Sequence, residues 1–114
     1  MPYLHTVEDL DECPIARAAA LVGDLWVLLI IRDLMDGAKR FKNLQESLGS
    51  ISPKTLSQRL KMLEETGLLN REAFAEIPPR VEYSLTEKGL ALADVIEAMR
   101  RYGEQHLPAP VPQG

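Results

Sequence analysis

Apolar residues recur every three or four positions along much of this chain, which is the spacing of one face of an α-helix. Serine, aspartate, glycine and proline mark the places where helices can begin or end. Together with the apolar spacing they predict five helices, which cover residues 14–22, 25–35, 41–48, 53–66 and 87–106. The second of these is apolar almost all round and is therefore predicted to lie in the core. The fourth has the clearest start, because Ser52 can cap it and Pro53 fits its first position.

Two segments between the fourth and fifth helices have strand character. Residues 68–76 and 80–85 flank a Pro78–Pro79 pair, and in the second segment apolar residues alternate with polar ones. Alternation is typical of a strand with one buried face, and prolines are tolerated at a hairpin tip because no ladder hydrogen bond is needed there. The two segments therefore predict a β-hairpin.

The order of these elements predicts one mainly α-helical domain with a small β-hairpin. A short helix, a tight turn and a second helix form a helix-turn-helix, and the hairpin behind it is a wing, so the expected fold is a winged helix-turn-helix. We assign residues 13–106 to this domain, with helices for dimerisation at both of its ends. Residues 1–12 are predicted as an acidic arm, and residues 107–114, which contain three prolines, as a disordered tail.

Charge is distributed unevenly along the 114 residues. The net charge is −4, yet residues 39–61 hold six basic side chains against one acidic side chain, while both flanking regions are acidic. Phosphate binding needs a local positive face and not a basic protein overall. The basic block coincides with the predicted helix-turn-helix, so this motif is a candidate DNA-binding site.

The helix over residues 53–66 is predicted to turn Leu56, Leu60 and Leu63 toward the core. At 100° per residue its polar side chains then face outward, where side chains of their types read bases and phosphates. The predicted DNA-binding residues are Lys39, Arg40, Lys42, Ser52, Lys54, Thr55, Gln58, Arg59, Lys61 and Arg80. An ordinary solvated amphipathic helix is the alternative interpretation of this face.

Individual roles follow from the chemistry of these side chains. Gln58 can pair bidentately with adenine, while Arg59 or Lys54 can reach a guanine or a phosphate. The free backbone N–H groups that follow Ser52 favour a phosphate. Arg80, at the hairpin tip, is placed to enter the minor groove or hold a phosphate, the alternative being an arginine exposed to water.

The last predicted helix carries an apolar stripe. Its members recur at helical spacing and are Leu92, Val95, Ile96, Met99 and Tyr102. The stripe could close the protomer's own core, but it is long for a domain whose other helices already offer apolar faces. We predict that it contributes to a homodimer interface together with the first helix. Two modules would read two half-sites about one helical turn, ~34–36 Å, apart.

Several segments of the chain resemble the HxlR family of bacterial winged-helix regulators. They are Cys13-Pro14-Ile15-Ala16-Arg17, Gly23-Asp24-Leu25-Trp26-x-Leu28-Leu29-Ile30-x-Arg32-Asp33-Leu34, Arg40-Phe41-x-x-Leu44, Ile51-Ser52-Pro53-Lys54-x-Leu56-x-Gln58-Arg59-Leu60, Leu63-Glu64-x-x-Gly67-Leu68 and Pro78-Pro79-Arg80-Val81-Glu82-Tyr83-Ser84-Leu85-Thr86-x-x-Gly89. The resemblance covers residues 13–106. It implies a homodimeric transcription regulator that binds double-stranded operator DNA near the gene it controls. One departure is Leu25, where the family usually carries a basic residue.

Cys13 is the only cysteine, which excludes an internal disulfide and suits a reducing compartment such as the cytoplasm. A helix N-terminus lowers the pKa of a thiol, whereas the preceding carboxylates oppose a second anion. Several members of the resembled family use a cysteine at this position to sense oxidants or electrophiles. Cys13 is therefore a redox-sensing candidate for an oxidant or small-molecule effector, the alternative being a small structural residue.

Two other classes of function fit the sequence less well. No phosphate loop, nucleophile elbow or metal-ligand spacing indicates an enzyme, so we expect no catalytic residues, no metal and no cofactor. The longest apolar run, Leu25 to Ile31, is too short to cross a bilayer, and we expect no membrane partner. A winged-helix module for protein contact without specific DNA binding remains the alternative function. Its outward helix face should be apolar or acidic, unlike that of residues 53–66.

Overall fold

The structure is a computed structural model that describes residues 12–110. Its first four helices are α1 (Pro14–Val22), α2 (Leu25–Leu34), α3 (Phe41–Leu48) and α4 (Pro53–Glu65). A hairpin of β1 (Leu69–Phe74) and β2 (Arg80–Leu85) follows, and then come α5 (Glu87–Leu90) and α6 (Ala93–His106). The predicted mainly helical fold with a two-stranded wing is confirmed.

The first turns of the helices explain their positions. Asp24 caps α2, because its Oδ1 accepts a hydrogen bond from the Val27 N–H at 3.0 Å. Ser52 caps α4 in the same way, accepting from the Thr55 N–H at 3.1 Å. Between α3 and α4 the chain turns at Gly49, whose φ of 61° lies in the left-handed region that glycine adopts without a steric cost. This turn sets the course of the chain from α3 into α4.

The hairpin is attached to the start of the helix-turn-helix. β1 and β2 are antiparallel, and Leu69 stands opposite Leu85. Lys39 then bridges to the outer edge of β2: its N–H donates to the Tyr83 carbonyl at 2.9 Å, and the Tyr83 N–H donates to the Lys39 carbonyl at 2.8 Å. The residues just before α3 are therefore held in register with the wing.

A single apolar cluster fills the space between α2, α3, α4 and the first strand. All of its members are at most 7% exposed. They are Val27, Ile30, Ile31, Leu34, Leu44, Leu48, Ile51, Leu56, Leu60, Leu63, Leu68 and Leu69. The inward direction predicted for the three leucines of α4 is confirmed.

The C-terminal helix differs from its prediction, because the expected single helix is broken after Leu90 and resumes at Ala93. The short α5 is tied to the segment that follows α4. The Thr86 N–H donates to the Leu68 carbonyl at 3.0 Å. A Cβ on Gly89 would stand only 2.4 Å from the Leu68 oxygen, so α5 lies directly against that backbone. The chain then changes direction before α6 packs against α2.

Burial along two elements also differs from the sequence patterns. Every residue of β2 is half-buried, so the expected alternation of buried and exposed positions is wrong. Tyr83 and Leu85 pack against the core, while Arg80 pairs with Glu82 and lies over the Phe74 ring within the wing. In α2 the apolar character does not mean burial all round, since Leu25 at its first turn is 61% exposed.

Within residues 12–110 no single helix is long and apolar enough to cross a bilayer. In this range only α1 and α2 taken together have the length and apolar composition of a membrane span, and the two helices are bent by 81° relative to each other. Residues 107–110 belong to no helix or strand, while the rest of the predicted tail and residues 1–11 of the predicted arm lie outside the described residues.

An ion pair joins the start of α2 to the middle of α4. The guanidinium of Arg59 reaches Asp24 Oδ2 through Nε at 3.1 Å and Nη2 at 3.0 Å. The hydrogen bond from Arg59 lowers the pKa of the Asp24 carboxyl below its ordinary value of 3.8, against a smaller opposing effect of burial. Asp24 therefore caps one helix and positions a side chain of another.

We predict that Asp24→Asn and Asp24→Ala separate these two roles. Asparagine is a good cap, so Asp24→Asn removes mainly the ion pair and should cost about 0.2–1 kcal/mol of unfolding free energy, because both partners are partly exposed. Asp24→Ala also removes the cap and should cost ~1 kcal/mol more. Urea unfolding at neutral pH measures both values.

The pH dependence gives a second check on the ion pair. Because the folded-state pKa of Asp24 is lowered, its stabilisation is present above pH 3.8 and is lost as the pH falls through the folded pKa. The difference between wild type and Asp24→Asn should therefore shrink in acid. A difference that stays constant down to the acid transition would contradict this account of the pair.

Candidate nucleic-acid interface

Helix α4 presents a polar face opposite its three buried leucines. Lys54, Gln58 and Lys61 are exposed, and Thr55 is half-buried beside the capping Ser52. The Ser52 hydroxyl contacts the Thr55 hydroxyl at 2.9 Å as well as the Thr55 N–H. The predicted outward set on this helix is therefore brought together on one accessible surface.

The basic cluster before and within α3 is less uniform than its sequence indicates. Arg40 and Lys42 are exposed, whereas Lys39 is half-buried. Lys39 lines a small cleft of about 180 Å³ together with Asp33 and Asp36 from the end of α2 and the turn after it. Lys39 thus shares a cleft with two carboxylates, whereas Arg40 and Lys42 do not line this cleft.

Arg59 is the most constrained of the predicted DNA-binding residues on α4. Its side chain is 30% exposed, and Nε and Nη2 both face Asp24. No local pattern indicates this partner, because Asp24 precedes Arg59 by 35 positions in the chain. Any contact of Arg59 with DNA would use the part of the guanidinium that Asp24 leaves uncovered.

Arg80 is also held by its own surroundings. It begins β2, directly after the hairpin tip, and its guanidinium carbon lies 4.1 Å from the centre of the Phe74 ring. Its Nε stands 3.0 Å from a Glu76 oxygen and 3.4 Å from a Glu82 oxygen. These are ion-pair distances, although the N–H direction does not meet hydrogen-bond geometry. The residue that projects fully at the tip is Ile77.

A cleft of about 340 Å³ lies between α4 and the hairpin, which the sequence patterns did not predict. Its lining residues are Ser57, Lys61, Glu64, Arg71 and Tyr83. Arg71 and Tyr83 stand directly opposite each other in the hairpin, so their side chains share one face. Only Lys61 of the five was predicted to bind DNA. Sequence patterns do not give the register of the two strands, and only that register places Arg71 opposite Tyr83.

The apolar stripe of the last helix is divided between two environments. Leu92 and Ile96 pack against the protomer's core. Val95, Met99 and Tyr102 are 41%, 49% and 60% exposed. On α1, Ile15 is 81% exposed, so both terminal helices leave apolar side chains uncovered in the protomer.

Cys13 occupies the N-cap position of α1 and is half-buried. Its backbone is extended, and its carbonyl accepts from the Arg17 N–H at 2.9 Å, which is the first hydrogen bond of the helix. The thiol makes no side-chain capping hydrogen bond. Across the described part of the chain, no three histidine, cysteine, aspartate or glutamate side chains converge in a way that could hold a metal ion.

Comparison with known proteins agrees with this architecture. Residues 21–110 match the HxlR-like helix-turn-helix family. The HTH-type transcriptional regulator YodB of Bacillus subtilis is 45% identical over 94 residues, which are 82% of this chain and 84% of YodB.

Two solved structures are similar as well. The reduced form of YodB has a TM-score of 0.74 at 42% identity and covers 87% of this chain and 98% of its own. The redox regulator HypR in its oxidized form has a TM-score of 0.80 at 33% identity, with coverages of 85% and 100%. Because the family match spans the helix-turn-helix, the wing and α6, this chain belongs to the HxlR-like helix-turn-helix family of transcriptional regulators.

Proposed function

We propose that this regulator binds an inverted-repeat operator in double-stranded DNA as a homodimer. The observation that carries the proposal is the polar, cationic face of α4, which stays exposed because the opposite face is buried in the core. In a helix-turn-helix the second helix enters the major groove, and its exposed side chains contact base edges.

Two kinds of contact are assigned to the proposed interface. Gln58 and Lys54 read base edges, since both are exposed on α4. Lys42 and Arg40 contact phosphates from the start of α3, and the capped N-terminus of α4 at Ser52 adds backbone N–H donors. The whole proposed set comprises Lys39, Arg40, Lys42, Ser52, Lys54, Thr55, Gln58, Arg59, Lys61 and Arg80.

Three members of this set have carboxylates of the same chain in their surroundings. Arg59 shares its charge with Asp24, and Arg80 faces two glutamates of the wing. Lys39 forms no such ion pair, but it is half-buried in a cleft that two aspartates also line. A carboxylate beside a cation lowers the local positive potential that attracts a phosphate. We therefore assign the larger share of phosphate attraction to Arg40 and Lys42, which are exposed.

The homodimer is supported by the apolar side chains that the protomer leaves uncovered on its terminal helices. Val95, Met99 and Tyr102 on α6 follow one another at helical spacing, and Ile15 on α1 is more exposed still. Contiguous apolar surface of this kind marks contact sites between proteins. To read both half-sites of an inverted repeat, an isologous contact must place the two α4 helices about one turn of DNA apart, ~34–36 Å.

A response to oxidants through Cys13 completes the proposal. The support is its half-buried place at the cap of α1, together with the similarity of the chain to the redox regulator HypR. With one cysteine per chain, oxidation by diamide can join two protomers, since two thiols lose two protons and two electrons to diamide as one S–S bond forms. A mixed disulfide with a small thiol and a sulfenic acid are the other two routes.

Selection of bound duplexes from a random DNA library at physiological salt would identify the operator. We expect an enriched inverted repeat with half-sites about one helical turn apart. On that duplex, Gln58→Ala should lower the discrimination against a scrambled duplex by about five- to a hundredfold, because an adenine contact is lost. Lys42→Ala should weaken both duplexes equally and reduce the salt slope by about one.

Fluorescence anisotropy over a range of salt concentrations measures both effects. Arg101→Ala is the matched control, because Arg101 is an exposed cation of α6 outside the proposed interface. If no sequence is enriched, or if Gln58→Ala affects specific and scrambled duplexes alike, sequence reading by α4 is wrong.

The homodimer predicts that Met99→Glu separates the protomers without unfolding them. Met99 is 49% exposed in the protomer, so a carboxylate there is hydrated in the monomer but would be buried in the dimer. The dimer dissociation constant should rise by at least about a hundredfold. Sedimentation velocity measures it, and circular dichroism checks the fold.

Arg101→Glu is the control for this experiment, since it adds the same carboxylate on another side of α6. Its dissociation constant should stay near that of wild type. Dimers of equal stability in Met99→Glu and wild type would place the dimer interface elsewhere.

The redox proposal predicts that Cys13→Ser abolishes every effect of diamide on DNA affinity. Serine keeps the size of the side chain at the N-cap of α1 but cannot form a disulfide. Non-reducing electrophoresis and intact mass identify the product formed by wild type. An equal diamide effect in Cys13→Ser would exclude the thiol as the sensor.

A further inference from the structure

The cleft between α4 and the wing has no role in the interface described so far, apart from Lys61. Ser57, Lys61 and Glu64 are spaced by four and three positions and therefore form one stripe along α4. Arg71 and Tyr83 face them from paired positions in β1 and β2. The cleft thus lies between α4 and the wing, the two elements that carry proposed DNA contacts on either side of it.

The lining of the cleft is suited to a phosphate group. Two cations and two hydroxyls face one carboxylate, Glu64. Unlike Arg59 and Arg80, neither Lys61 nor Arg71 lies within 4.0 Å of a carboxylate oxygen among residues 12–110. Both side chains are exposed, so their donors are free to take an external anion.

The path of the sugar–phosphate strand in duplex DNA suits the position of this cleft. One sugar–phosphate strand separates the major groove from the adjacent minor groove. If α4 enters the major groove and the wing reaches the neighbouring minor groove, that strand must pass between them. The cleft is the space between them.

On the basis of the proposed function, we propose that this cleft binds a backbone phosphate of the DNA strand between the two grooves. Lys61 and Arg71 supply the ionic contacts, and the hydroxyls of Ser57 and Tyr83 donate hydrogen bonds to the phosphate oxygens. Charge-assisted donors of this kind make the strong contacts to phosphate. Arg71 and Tyr83 are thereby added to the DNA-binding residues.

The carboxylate of Glu64 opposes phosphate binding in this cleft. Its carboxylate lines the same cleft and repels the phosphate, so it weakens binding. Glu64→Gln should therefore tighten binding to DNA of any sequence, whereas Arg71→Ala should weaken it. Opposite effects of two neighbouring side chains are a signature that general damage to the wing would not produce.

Anisotropy titrations of the full-length chain with specific and scrambled duplexes test the proposal. At physiological salt, Arg71→Ala should lower the affinity about three- to tenfold on both duplexes and reduce the salt slope by about one. Glu64→Gln should raise the affinity severalfold on both. Arg101→Ala, the control for loss of one exposed cation, should differ from wild type by less than about twofold.

Neutral methylphosphonates placed one at a time along the operator identify the phosphate itself. Wild type should lose affinity at one phosphate in each half-site. Arg71→Ala should lose less affinity at that phosphate than wild type does, because its Arg71 contact is already absent and only the contacts of Lys61, Ser57 and Tyr83 remain. If every methylphosphonate affects wild type and Arg71→Ala equally, or if Arg71→Ala matches Arg101→Ala, the proposal is overturned.

Failure of this cleft proposal can be distinguished from failure of the proposed function and from binding of a free anion. Selection of an operator by wild type together with an inert Arg71→Ala would leave the function intact and remove this site. Inorganic phosphate, added at constant ionic strength and followed by amide NMR shifts of Ser57 and Arg71, tests the other source. Shifts there with no effect of Arg71→Ala on DNA binding would make the cleft a small-anion site, which also overturns the proposal.

Discussion

Burial of one face of α4 is the constraint on which the rest of the structure depends. Leu56, Leu60 and Leu63 are each at most 2% exposed and lie in one cluster with α2 and α3. Removing three leucines from water contributes about 1.5–3 kcal/mol each before entropy is counted, which is large beside the stability of a small domain. A rotation of α4 would expose them, so the opposite face is fixed as the outward one.

Polar contacts then set the position of α4 more finely than apolar packing can. Asp24 joins the first turn of α2 to Arg59 in the middle of α4. The Lys39–Tyr83 bridge holds the wing beside the start of α3. These contacts are individually weak, because their groups are partly exposed, but each is directional. They restrict how α4 and the wing are placed relative to one another.

Elements with a strong local signal could be predicted from the sequence. The Ser52–Pro53 start of α4 and its leucine spacing predicted the first residue of this helix, its end to within one residue, and its buried face. The break between α5 and α6 could not be predicted, since it depends on the contact of Gly89 with the distant Leu68 carbonyl. The same limit applies to the site: exposure of Gln58 follows from local periodicity, whereas the partner of Arg59 and the pairing of Arg71 with Tyr83 depend on tertiary structure.

The most direct test of the central claim is a map of amide NMR shifts during titration of the full-length chain with its selected duplex. The account predicts that the largest changes fall on the exposed face of α4, the start of α3 and the side of the wing that faces α4. Residues of α6 should change little if the protein is already a dimer before it binds DNA. Changes concentrated on α6 and α1, with α4 unaffected, would contradict the account.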